Sequence, residues 1–76
     1  MPEVPTYLNL GCGSRYHAEW VNVDIAPHGP QVVQHDLSRR LPFADESFDV
    51  VYHSAVLEHM RRADAPPFLM ESYRVL

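Results

Sequence analysis

A chain of 76 residues holds one domain at most, and at this length folding hides only about 60% of the surface that the unfolded chain exposes, so the core is small. The composition, 46% hydrophobic and 21% charged, is that of an ordinary globular protein. A formal net charge of −4, with basic residues adjacent only at Arg39-Arg40 and Arg61-Arg62, argues against nucleic acid or an anionic membrane surface as a partner. The single cysteine excludes an internal disulfide, and no apolar run approaches the roughly 20 residues of a membrane helix. The opening Met-Pro-Glu-Val-Pro has no signal-peptide pattern, so a cytoplasmic protein is expected.

In chain order, Thr6 to Leu10 is rich in strand formers and runs straight into Gly11. Trp20 to Asp24 alternates large and polar residues and stops before Pro27, His28, Gly29 and Pro30. Gln31 to Asp36 is a weaker strand, also readable as a loop, and Phe48 to His53 is the clearest strand. Its Val50-Val51 pair suits a strand covered on both faces, as in a parallel sheet. Leu41 to Ser47 contains a proline and a polar trio and reads as a loop. Val56 to Met60 can form one short helical turn. Asp64 then stands at an N-cap position before Ala65-Pro66-Pro67, and prolines are tolerated in a first helical turn. From Phe68 onward, Leu69, Tyr73 and Leu76 recur at helical spacing and predict the buried stripe, which leaves Glu71 and Arg74 solvated. No Gly or Asn cap follows Leu76, so a C-terminal truncation is expected.

Gly11-Cys12-Gly13, Asp24, Asp36 and His53-Ser54 all fall at the carboxyl ends of predicted strands. In open parallel α/β sheets, ligands bind in the crevice beyond those ends. Glycines let the backbone turn tightly and approach a ligand closely, and a strand-end carboxylate can accept both hydrogen bonds of a ribose diol. Singly, each residue has a plain structural reading: a tight turn for the glycines, an Asx turn for Asp24. Their convergence favours a nucleotide-type site. The dinucleotide fingerprint fails at its third glycine, where Tyr16 stands, which disfavours a nicotinamide or flavin enzyme. The five histidines are scattered without ligand spacing, so no metal site is expected, and Cys12 reads as a small residue filling the turn.

The stretch "LNLGCG" resembles the first motif of class I S-adenosylmethionine-dependent methyltransferases, and "VNVDI" resembles the acidic strand that follows it. "HDLSRRLPFADESFDVVYHSAVLEHM" is similar to the central motifs of the small-molecule, ubiquinone-biosynthesis-like branch, and "FLMESYRVL" to the next helix. The resemblance implies an α/β fold: a partial Rossmann-like methyltransferase sheet of about four parallel strands, ordered 3-2-1-4, with a C-terminal helix. Residues 1–76 would form the N-terminal, cofactor-binding part of such a domain. It further implies that Gly11, Cys12 and Gly13 meet the methionine part of S-adenosylmethionine and that Asp24 holds the ribose, with Ile25 on the adenine. Asp36 and Leu37 would meet the adenine edge, and His53 and Ser54 would lie beneath the sulfonium. Tyr52, His53 and His59 are the candidate bases toward a small-molecule methyl acceptor.

Two departures from the family stand out. Only nine residues, Gly11 to Glu19, separate the first two predicted strands. They can reach about 30 Å, and a five-residue strand spans about 17 Å, so the chain can return with at most one helical turn. This weakens the helix N-terminus that would face the cofactor's carboxylate, and Arg15 is the available substitute. The second departure is that strands beyond the fourth are missing, which leaves an apolar sheet edge and a helix face open. Self-association through either is expected. The alternative is a non-catalytic, self-associating module that binds S-adenosylmethionine or a related nucleoside.

Overall fold

A computed structural model describes residues 5–26 and 29–76. The Met1 to Val4 start, and Pro27 and His28 of the turn after the second strand, lie outside the described residues. Four strands, β1 (Tyr7–Leu10), β2 (Val21–Asp24), β3 (Val32–Gln34) and β4 (Val50–His53), form one all-parallel sheet in the order β3-β2-β1-β4. Two short 3₁₀ turns, Leu57–His59 and Arg62–Asp64, lead into the helix α1 (Ala65–Val75). This is the partial Rossmann-like arrangement expected from the sequence, with each strand trimmed by one to three residues. Among the described residues, no helix is long and apolar enough to cross a membrane.

The two faces of the sheet are covered differently. Strand side chains alternate, so Leu8, Leu10 and Val23 share one face. There they pack with Leu41, Phe48, Phe68 and Val75 into the core. Burying each of the larger side chains contributes about 1.5–3 kcal/mol. The other face carries Asn9 beside Asn22 and Tyr52 in the parallel register. Over it runs the segment from Gly11 to Trp20, which contains no helix. Buried asparagines hold it down instead. Asn9 Nδ2 donates to the Arg15 carbonyl and to Asn22 Oδ1, both at 3.2 Å. Asn22 Oδ1 also accepts the His17 N–H at 3.1 Å, and its Nδ2 donates to the carbonyls of His17 (2.7 Å) and Trp20 (3.0 Å). Trp20 then stacks between Tyr7 and His17, with ring centroids 5.0 and 4.6 Å away.

The structure corrects four local expectations. Strand β4 is the expected open edge but is not covered on both faces: Val50 is 40% and Tyr52 48% exposed, both on the face that carries Asn9. Helix α1 buries Phe68 and Val75, while Leu69, Tyr73 and Leu76 of the expected stripe point outward, Tyr73 at 75% exposure. Asp64 does stand at the N-cap, but its carboxylate pairs with Arg61 Nε at 2.9 Å and makes no cap bond. Glu71 and Arg74 are not merely solvated. The Arg74 guanidinium reaches both Glu71 oxygens (2.7 and 2.8 Å), Asp45 Oδ1 (2.8 Å) and the carbonyls of Phe43 (2.9 Å) and Leu41 (3.1 Å). Glu71 Oε1 in turn accepts the Leu41 N–H at 2.8 Å.

The same loop also bonds to the last turn of the helix. The N–H of Glu46 donates to the Arg74 carbonyl at 2.9 Å, and those of Ser47 and Phe48 donate to the Val75 carbonyl at 2.8 and 3.0 Å. These supply partners for the helix's free carbonyls. Glu46 turns the loop with a left-handed φ of 53°.

Arg74's hydrogen bonds, helped by the Leu41 N–H and nearby positive charge, hold the Glu71 carboxyl at about 2, well below its ordinary 4.5. A carboxyl depressed in the folded state stabilises that state above its unfolded pKa, and the contribution is lost as it protonates. Thermal melts should therefore show Tm falling between about pH 4.5 and about pH 2 by an amount that Glu71→Gln removes. Parallel Tm–pH profiles for the wild type and the variant across that window would contradict the assignment.

Candidate functional site

The glycine turn after β1 continues the pairing with β2: the N–H groups of Gly11 and Cys12 both donate to the Val23 carbonyl, at 2.8 and 3.3 Å. Gly11 has a φ of +68° and Gly13 of +55°, left-handed values that favour glycine. A Cβ on Gly11 would lie 2.5 Å from Val56 Cγ2, so the turn is closed against the segment that follows β4. A Cβ on Gly13 would meet nothing within 4 Å. Gly11 is thus fixed by packing, while Gly13 borders open space.

Asp24 ties the loops after β1 and β2 together. Its Oδ2 accepts the Gly13 N–H at 2.7 Å and its Oδ1 accepts the Ala26 N–H at 3.0 Å. Each oxygen keeps a second lone pair for an external donor. Asp36 organises the loop after β3 in a similar way, taking the Ser38 N–H (2.9 Å) and hydroxyl (2.7 Å) on one oxygen. Those bonds pull its carboxyl below the usual range. Cys12 is buried, and burial followed by the Asp24 charge raises its thiol pKa. A thiol so placed stays protonated and is a poor nucleophile.

Beyond the strand ends lies a cavity of about 470 Å³, within the range of small-molecule sites. Gly11, Asp24 and Ile25 line it on one side, and Asp36, Leu37 and Ser38 on another. The third wall is the segment after β4: Ala55, Val56, His59 and Met60, then Arg61 and Asp64. Of the residues singled out in the sequence, Gly11, Asp24, Ile25, Asp36, Leu37 and His59 therefore converge. Cys12, Gly13, Arg15, Tyr52, His53 and Ser54 are outside the lining. His53 packs edge-on against Phe68, centroids 5.1 Å apart, and Tyr52 lies on the opposite face of the sheet, 6.1 Å from Trp20.

The sequence reading underweights the third wall. Val56, Met60 and Asp64 look like helix residues with packing or capping roles. The available signal is positional: a chain leaving β4 must pass the carboxyl ends of β1 and β2 before reaching α1. Among the described residues no cluster of His, Cys, Asp and Glu has the arrangement of a metal site.

The parallel sheet, with a glycine turn after β1, Asp24 closing β2 and Asp36 just beyond β3, is a partial Rossmann-like arrangement with one crevice at its carboxyl ends. Residues 8–76 match the family described as "Methyltransferase domain". The chain belongs to that family. Searches among curated proteins and among solved structures found no significant match.

The Gly11–Val56 contact is open to test. Alanine at residue 11 meets a left-handed backbone, costing about 1–2 kcal/mol, and a β-branched neighbour that cannot swing aside. Gly11→Ala should destabilise the chain by roughly 2–4 kcal/mol in urea titrations. Adding Val56→Ala should recover part of that loss, with a coupling energy of about 1 kcal/mol or more. Strictly additive effects would mean that the two segments do not meet.

Proposed function

We propose that the chain supplies the cofactor-binding half of an S-adenosylmethionine-dependent methyltransferase that acts on a small-molecule acceptor in the cytoplasm. The observation that carries this reading is the cavity: Gly11, Asp24 and Asp36 come from three strand ends of a methyltransferase-family chain and face one space. Its chemistry fits the cofactor. Asp24 retains lone pairs suited to a ribose diol. Ile25 and Leu37 offer apolar surface to an adenine, Ile25 at 60% exposure. Asp24, Asp36 and Asp64 outnumber the one cationic side chain in the lining, Arg61, which is already paired with Asp64. That balance suits a cationic ligand. When bound, S-adenosylmethionine would supply the activated methyl group. The residues of this chain would bind and orient it and keep water from the reacting centre. Cys12 and Gly13 follow the lining residue Gly11 in the chain, with Gly13 beside open space, and enter the reading through it, while His53 enters by the resemblance alone.

Calorimetry with S-adenosylhomocysteine tests it. The wild type should bind and Asp24→Asn should bind at least 10-fold more weakly, because a carboxylate acceptor becomes a weaker amide one. Asparagine keeps one acceptor oxygen, so one of the Gly13 and Ala26 N–H contacts is lost with the charge, and circular dichroism checks that the variant remains folded. Unaltered affinity in a folded variant would remove Asp24 from the ribose role.

A second reading, self-association without turnover, is favoured by the open β4 edge and by the outward α1 face of Leu69, Met70, Tyr73 and Leu76. Unpaired strand edges and apolar patches are pairing surfaces. Sedimentation velocity should then show mass rising with concentration in the micromolar range. A monomer throughout would exclude it.

A further inference from the structure

We propose that His59 is the group that takes the proton from the methyl acceptor. The inference rests on the methyltransferase reading above and adds to it a catalytic residue.

His35, Tyr52, His53 and His59 stand near the carboxyl ends of β3 and β4, and His35 Nε2 lies 2.9 Å from the Arg40 carbonyl. The fold separates them. Tyr52 points to the far face of the sheet, where its ring meets the edge of Trp20. His53 points to the helix side, where its ring is packed edge-on against Phe68. Only His59 lines the cavity shared by Gly11 and Asp24. It is exposed, and its ring makes no hydrogen bond among the described residues, so both ring nitrogens remain available to a ligand.

The backbone holds it there by an unusual route. Ala55 leaves β4 with a left-handed φ of 56°, which a residue bearing a Cβ rarely adopts. The turn carries Val56 over Gly11, close enough that residue 11 has no room for a Cβ. The 3₁₀ turn Leu57–His59 follows at once and is closed by the His59 N–H donating to the Val56 carbonyl at 3.1 Å. Strained non-glycine residues of this kind concentrate at functional sites, where the surrounding structure over-determines them. Here the strained residue and the interlocked glycine fix the base of the turn that bears His59.

The step balances as follows. The acceptor heteroatom uses a lone pair to bond the transferred methyl carbon. The carbon–sulfur bond breaks, and its electrons go to sulfur, turning the sulfonium into a thioether. The proton of the acceptor heteroatom passes to a ring nitrogen of neutral His59, which becomes an imidazolium. The charged groups around that imidazolium are Asp24, Asp36, Asp64 and Arg61 of the lining and Glu58 of its own turn.

A test needs no acceptor. S-adenosylmethionine and S-adenosylhomocysteine differ by one methyl group and one positive charge at the sulfur. If His59 sits against the reacting centre, the sulfonium must disfavour its protonation. NMR titration of the histidine Cε1–H signals, with the His59 signal identified by its loss in His59→Gln and by through-bond assignment, reads this directly. With saturating S-adenosylmethionine the His59 midpoint should lie lower by roughly 0.5 pH unit or more than with saturating S-adenosylhomocysteine. His17 and His35 should not distinguish the two. Equal His59 midpoints, or a higher one with the sulfonium, would overturn the proposal while leaving the cofactor site intact. Absence of binding heat for both compounds would overturn the methyltransferase reading itself, and this proposal with it.

Discussion

The amide pair Asn9–Asn22 is what allows this chain to keep a parallel sheet without the helix that usually returns it. A parallel neighbour requires a crossover, and a crossover laid over a sheet must satisfy its own backbone. A helix does that internally. The segment from Gly11 to Trp20 is too short for one, so its polar groups need partners on the sheet. Asn9 and Asn22 stand side by side in register on the face it crosses, and between them they take or give bonds to Arg15, His17 and Trp20. Both side chains are buried, Asn22 completely. A buried amide left without partners costs about 1–3 kcal/mol for each group, so the loop and the pair are stable only together.

A second polar device does the equivalent work on the helix side. Arg74 pairs with Glu71 of its own helix and collects the Asp45 carboxylate and two carbonyls from the loop between β3 and β4, and that loop returns three N–H groups to the end of α1. The long loop is thereby fastened to the helix by charge-assisted bonds, with Leu41 and Phe48 carried into the core beneath it. The apolar contribution of α1 is modest, since Phe68 and Val75 are its only fully buried apolar side chains. Polar fixation compensates for the small core expected of so short a chain.

These two devices also mark where the sequence stops being readable. Strand positions and their order follow from alternation, turn glycines and the family resemblance, because those signals are local. The orientation of α1 does not. Leu69, Tyr73 and Leu76 make as good a stripe as Phe68, Ser72 and Val75. What selects the second set is Arg74, whose donors must meet the carbonyls of Leu41 and Phe43, distant in the chain. The exposure of β4 is equally non-local: Val50-Val51 signals a covered strand, but coverage depends on neighbours that the described residues do not include. For the site, the glycines and strand-end acids are legible because their positions relative to strands carry the meaning. The separation of Tyr52, His53 and His59 is not, since it depends on which way β4 faces and on a strained turn at Ala55.

The cavity is therefore shaped more by interlock than by any single motif. Gly11 has to be glycine because Val56 lies over it, and Val56 lies there because Ala55 turns left-handed. Asp24 holds Gly13 and Ala26 while leaving lone pairs free, so the same carboxylate that closes the loops can also receive a ligand. In a longer crossover a helix N-terminus would share that task through its free N–H groups. Here the positioning falls to one side chain and two short loops. A ligand that bridges Asp24, Asp36 and the turn bearing His59 would join the three loops that the strands leave separate. Binding it should tighten the very segments that lack secondary structure, since ordering them in advance of the ligand is what the missing helix would have done.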